Sequence, residues 1–136
     1  MPKEQGPVVA AGKRKTATAR ATVMRGKGIV RINRRPLEIW TPELARLKIQ
    51  EPLILLGERA ENVNIDVSVA GGGVMGQADA ARTAIARGLV QFFRDDELES
   101  MYKHLDRSII VSDARQKEPK HPLGRGARKR RQKSYR

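Results

Sequence analysis

The sequence predicts an α+β domain, one small sheet with helices packed on a single face, followed by an extended basic C-terminal tail. Three observations predict it. Residues 62–70 alternate Val63, Ile65, Val67 and Val69 with Asn64, Asp66 and Ser68, the two-residue period of a strand with one buried face. Beyond Gly76, residues Ala78, Ala81, Ile85, Leu89 and Phe92 recur at spacings of three and four, the apolar stripe of a helix that needs a sheet to bury it. From Asp113 to Arg136 any such period ends, and ten basic groups stand against two acids.

Taken in order, residues 1–12 hold Pro2, Gly6, Pro7 and Gly12 with little pattern and read as a flexible N-terminal arm. Residues 13–112 read as the globular domain and residues 113–136 as the tail. Thr16 to Met24 has strand composition, Gly26 and Gly28 flank Lys27, and Ile29, Val30 and Ile32 resume a strand, which together predict a β-hairpin. Asn33, Arg34 and Arg35 predict a second turn. Thr41, Pro42 and Glu43 predict a helix start, with the Thr hydroxyl as cap, Pro at the first helical position and an acid at the positive end of the dipole. Leu44 and Leu47 give that helix a thin apolar face, Pro52 is expected to divide it, and Gly57 to stop its second part. After the strand at 62–70 and the glycines Gly71, Gly72, Gly73 and Gly76 comes the long helix, with Arg82, Arg87 and Arg94 away from its apolar stripe. Asp95 and Asp96 cap a last helix whose stripe is Leu98, Met101, Tyr102 and Leu105. Ile109, Ile110 and Val111 predict an edge strand that launches the tail.

Charge divides the chain the same way. Its formal net charge of +13 is carried by two basic ends, while residues 36–112 are mildly acidic, with eight basic and twelve acidic groups. Such a chain meets nucleic acid or another polyanion. The tail has no apolar content to offset its ordering entropy, so it is expected to order only against a strongly negative partner. With no cysteine there is neither a disulfide framework nor a thiolate metal site, and the two histidines, His104 and His121, cannot hold zinc alone. No apolar run approaches the length of a membrane helix, and Met1 to Gly6 lacks the apolar run of a secretory signal. A soluble, intracellular protein is expected.

The candidate catalytic motifs resolve into structural ones. The glycines before the long helix could cradle phosphate, but Gln77 and Ala78 stand where a Walker loop has Lys and Ser/Thr, so a tight strand-to-helix turn is the stronger reading. A nucleic-acid phosphate could still be held there. His104 has no nucleophile or carboxylate paired with it by spacing, and a solvated imidazole at a helix end accounts for it. The acids at 95–99 fit helix capping better than paired catalysis. Trp40 reads as a core residue, and Tyr135, in a tail without a core, as a stacking group.

Three motifs in order resemble the family of the ninth protein of the small ribosomal subunit: Gly12-Lys-Arg-Lys-Thr-Ala-Thr-Ala-Arg20, then Gly71-Gly-Gly-Val-Met-Gly-Gln77 continuing to Leu89, then Lys133-Ser-Tyr-Arg136, an ending similar to archaeal and eukaryotic members. The resemblance runs from about Gly12 onward. It implies a fold shared with the second domain of another small-subunit protein, with a left-handed βαβ crossover. It also implies no enzymatic activity and no cofactor, but a structural role in the cytoplasmic ribosome. The body would bind small-subunit ribosomal RNA in the head, beside neighbouring head proteins, as a single copy and away from membranes.

By the same resemblance the tail would reach peptidyl-site tRNA. Lys133, Tyr135 and Arg136 are the implied tRNA contacts. Lys13, Arg14, Lys15, Arg34, Arg35, Arg125, Arg128, Lys129, Arg130 and Arg131 are the expected ribosomal RNA contacts. A tail of this length can span roughly 80 Å when extended, far enough to act at a distance from its body. Two other classes remain open on sequence: a free nucleic-acid chaperone, and a phosphate-transfer enzyme built on the glycine turn.

Overall fold

The computed structural model describes residues 6–40 and 42–134. Strands β1 (Val8–Arg14), β2 (Ala17–Arg25), β3 (Val30–Ile32), β4 (Arg35–Pro36) and β5 (Val63–Ala70) form one open sheet in the order β1-β2-β5-β3-β4. Neighbours are antiparallel except β3 and β5, which run parallel and are joined through helix α1 (Glu43–Leu56). Helices α2 (Val74–Phe93) and α3 (Asp96–Leu105) complete the domain.

The alternation that predicts β5 is obeyed: Val63, Ile65, Val67 and Val69 are buried, while Asp66, Ser68 and Ala70 are exposed. The register carries that pattern across the sheet, aligning Ala10, Ala21, Val67 and Ile32 on the buried face. Helix α2 lies against β1, β2 and β5 on this face, and it is buried nearly all round. Ala78, Ala81, Ile85 and Leu89 are in the core as expected, but so are Ala80, Ala84 and Ala86. Small side chains let the helix come close: a Cβ on Gly12 would sit 2.2 Å from the Ala80 carbonyl oxygen and 2.7 Å from the Ala84 nitrogen.

Several expectations are corrected. The hairpin partner of β2 is not the strand after Gly28 but β1, and Val8 to Gly12, expected within a flexible arm, form most of β1. Strand β5, with the strongest alternation in the chain, takes the place between β2 and β3. The loop between them crosses its start, where Asn64 Oδ1 accepts from the Lys27 and Ile29 amides at 2.9 and 3.2 Å.

Pro52 does not divide α1, which is continuous to Leu56 and stopped by Gly57 at φ +74. Pro52 is buried, and its carbonyl accepts the Tyr102 hydroxyl at 2.8 Å, so tertiary contacts hold both halves on one axis. Pro42 is the cap residue of α1 rather than its first helical residue, and Thr41 lies outside the described residues. Leu44 and Leu47 face outward, and Ala45, Ile49 and Leu56 turn inward instead. Leu105 is likewise exposed, leaving Leu98 and Tyr102 as the buried stripe of α3. Ile109 to Val111 is no strand: Asp106 accepts from the Ser108 amide at 2.9 Å, closing a 3-10 turn at Arg107–Ile109 that buries Ile109. Trp40 packs half-buried against the core, as expected.

Candidate nucleic-acid interface

Strand direction decides which turns meet. Because β1 and β2, and β2 and β5, are antiparallel while β5 and β3 are parallel, the chain leaves β1, β3 and β5 at the same end of the sheet. Two basic turns and the glycine turn therefore share that end. The first, between β1 and β2, exposes Lys13 and Lys15, with Lys15 at φ +53. The second, between β3 and β4, is a two-residue loop in which Asn33 and Arg34 both have positive φ, +50 and +67, the geometry of a type I′ turn.

Asn33 stabilises that turn by acting as an extra rung of the ladder. Its Oδ1 accepts from the Val69 amide at 2.9 Å, its Nδ2 donates to the Val69 carbonyl at 3.3 Å, and its own amide donates to the Val67 carbonyl at 2.8 Å. Arg34 and Arg35 are left exposed beside it. Among the described residues no ion pair involves Lys13, Lys15, Arg34 or Arg35.

At the same end the glycine turn leads from β5 into α2. Gly71 has φ +76, and a Cβ there would stand 2.4 Å from the Thr16 carbonyl oxygen, so the turn packs directly on the first basic turn. Gln77 Nε2 donates to the Gly71 carbonyl at 3.1 Å. The first turn of α2 carries no acid and its cap, Gly73, has no side-chain acceptor, so the positive end of the helix dipole adds to the cationic end of the sheet.

Arg14, expected beside Lys13 and Lys15 as an RNA contact, also has a partner within the chain. It pairs with Asp113, the first residue of the tail, which also takes a fork from Arg115 at 2.6 to 3.0 Å. Hydrogen bonds from Arg115, joined by the nearby charge of Arg14, hold the Asp113 carboxyl far below the usual carboxylate range. The tail thus starts at the cationic end. Residues 113–134 contain no helix or strand. Arg125, Lys129, Arg130, Arg131 and Lys133 are exposed, and Arg128 forks onto Glu118 at 2.8 and 3.0 Å. Tyr135 and Arg136 lie outside the described residues.

Sequence reasoning missed two groups. Arg20 and Arg31 project from the uncovered face of the sheet, opposite Ser68 and Asp66 respectively, in line with Lys13 opposite Thr18. The signal was there: Thr18, Arg20 and Thr22 alternate with Ala17, Ala19 and Ala21, so the arginine belongs to the wet face. Arg82 and Arg87, in contrast, are consumed internally. Arg82 is 8% exposed, donating to Glu51 at 2.9 Å and to the Ser108 hydroxyl at 3.0 Å. His104 is exposed at the end of α3, consistent with a solvated side chain. Among the described residues no His, Cys, Asp and Glu cluster could hold a metal, and no helix is long and apolar enough to cross a membrane.

Comparison with known proteins gives the same direction. The pattern of the family described as ribosomal protein S9/S16 matches residues 12–136. The small ribosomal subunit protein uS9 of Thermoplasma volcanium is 55% identical over 129 residues, 95% of this chain and 98% of that protein. Its counterpart from Methanothrix thermoacetophila is 56% identical over 129 residues, again 95% and 98% of the two chains. That from Halobacterium salinarum is 56% identical over 126 residues, covering 92% and 96%.

Proposed function

This chain belongs to the ribosomal protein S9/S16 family, and on that premise we propose that it is an RNA-binding component of the small ribosomal subunit whose tail reaches peptidyl-site tRNA. Members of a ribosomal-protein family are structural parts of the ribosome, not enzymes, so the glycine turn is read as packing rather than a nucleotide site. The body sits on small-subunit ribosomal RNA in the head, next to other head proteins, in the cytoplasmic ribosome. Lys13, Lys15, Arg34, Arg35 and the tail cations Arg125, Arg128, Lys129, Arg130 and Arg131 contact ribosomal RNA, with Arg14 contributing at the tail root. Lys133, Tyr135 and Arg136 approach the anticodon stem-loop.

One observation carries this reading: two basic turns, whose Lys13, Lys15, Arg34 and Arg35 make no ion pair among the described residues, and the root of a cationic tail lie at one end of a single sheet. Arg suits such a surface because its planar fork matches phosphate oxygens and keeps its charge at any physiological pH. If six to ten cations engage phosphates, affinity for RNA drops on the order of a thousandfold or more between low and moderate salt. A photoreactive group at position 135, in assembled small subunits carrying peptidyl-site tRNA, tests the reading. Capture of the anticodon arm is expected. Capture of ribosomal RNA alone would make the tail an assembly anchor, and failure to remain with subunits after a moderate salt wash would favour a free chaperone.

A further inference from the structure

Arg87 lies on α2, half-buried at the margin of the core, and makes three hydrogen bonds to two distant segments. Its Nε donates to the Ile110 carbonyl at 2.8 Å, Nη2 to the Ser112 hydroxyl at 3.1 Å and Nη1 to the Ala11 carbonyl at 3.0 Å. Ala11 is in β1, the free edge of the sheet. Ile110 and Ser112 are the last residues before the tail. Past them Asp113 is paired with Arg14, the final residue of β1. The partners advance together, Ala11 to Arg14 and Ile110 to Asp113, so the chain runs beside the sheet edge towards the cationic end.

The backbone does not perform this task among the described residues. Val111 donates its amide to the Arg107 carbonyl at 2.9 Å, and beyond it no backbone hydrogen bond among the described residues ties the chain to the body. The edge of β1 makes no ladder with residues 110–113. A planar guanidinium can satisfy acceptors on both segments at once, which a single ammonium cannot do with the same geometry.

We propose that Arg87 is a positioning residue for the tail: together with the Arg14–Asp113 pair, it sets the point and direction at which the tail leaves the body. The proposal rests on the tail being a functional arm. Fixing the root of a flexible arm confines the volume its tip explores and raises the tip's effective concentration at one target. Freeing residues 110–113 enlarges that volume and is expected to weaken tRNA retention about two- to fivefold, without loss of assembly.

The chain has no cysteine, so spin labels can be set cleanly at Gln91→Cys on exposed α2 surface and Gln116→Cys just past the root. In the full-length protein a narrow distance distribution is expected with Arg87, a broad one with Arg87→Ala and an intermediate one with Arg87→Lys. A distribution already broad with Arg87, or unchanged in Arg87→Ala, overturns the clamp. Should Arg87→Ala fail to fold, Asp113→Asn loosens the root from the tail side, and the same broadening is required of it. In reconstituted subunits, retention must fall in the variants whose roots broaden. Unchanged retention there overturns the positioning role, whereas unchanged retention after deletion of Lys133 to Arg136, with Arg87 intact, would instead overturn the tRNA contact.

Discussion

The arginines of α2 and the arginines of the tail are one residue type in opposite surroundings. Arg82 is almost wholly buried, with Glu51, Asp79 and Asp106 within 2.9 to 3.9 Å, and Arg87 is occupied by carbonyls and a hydroxyl. Arg130 and Arg131 are exposed, with no acid paired to them among the described residues. A cation surrounded by internal acceptors stabilises the fold and has little left for RNA. One held out on an extended tail without internal partners contributes little to the fold and is left for binding a polyanion. The net charge of +13 therefore overstates how much of the chain is interface.

The sharpest test of that division is Arg82→Ala. It removes a packed stem and leaves Glu51, Asp79 and Asp106 facing one another with one cation fewer, so a loss of about 2 kcal/mol is expected, discounted because the acids are partly exposed. Thermal melting of the free protein measures it. Arg130→Ala in the same assay is expected to stay within about 0.5 kcal/mol. Equal losses in the two variants would erase the distinction between the regions.

A smaller effect is expected at Tyr102, whose hydroxyl meets the Pro52 carbonyl inside the core. Tyr102→Phe should cost about 1 kcal/mol. Burial pushes this phenol well above its ordinary range. The folded state thus holds the proton more tightly than the unfolded state, so its contribution is complete below the unfolded pKa of about 10 and is lost progressively as pH rises through the folded value. Stability should decline more steeply above about pH 10 in the parent than in Tyr102→Phe. Parallel declines would mean that the ring is not held in the dry site.

How much of this was legible in the sequence follows the range of each interaction. Local signals were read well: the alternation of β5, the stripe of α2, the Asp95 cap that accepts from the Glu97 and Leu98 amides, and Gly57 as a helix stop. Non-local choices were not. No local pattern says that β5 enters between β2 and β3, since all three strands would satisfy a hairpin equally well. Nor does spacing disclose that Tyr102 stabilises the segment at Pro52 or that Arg87 bonds across 76 residues to Ala11. For the site, the basic turns were legible as composition, but their gathering at one sheet end depends on strand order. Arg14 and Arg128 looked equivalent to their neighbours because the acids that pair with them, Asp113 and Glu118, belong to another segment or lie ten residues away.

Glu118 gives the comparison its finest test. It forks with Arg128 on a surface where both side chains are more than half exposed, so the pair is worth little to stability. In the body, removing an acid from around Arg82 leaves a buried cation short of partners and destabilises the fold. In the tail the same chemical change should do the reverse for function: Glu118→Gln leaves the melting curve unchanged, frees Arg128 and removes a charge that repels phosphate. Binding to small-subunit RNA should tighten a few-fold, and the dependence of log affinity on log salt should steepen by about one ion. Weaker binding would mean that the fork shapes the turn around His121 to Lys129 for its RNA, and that the tail is not simply a chain of independent cations but carries structure of its own.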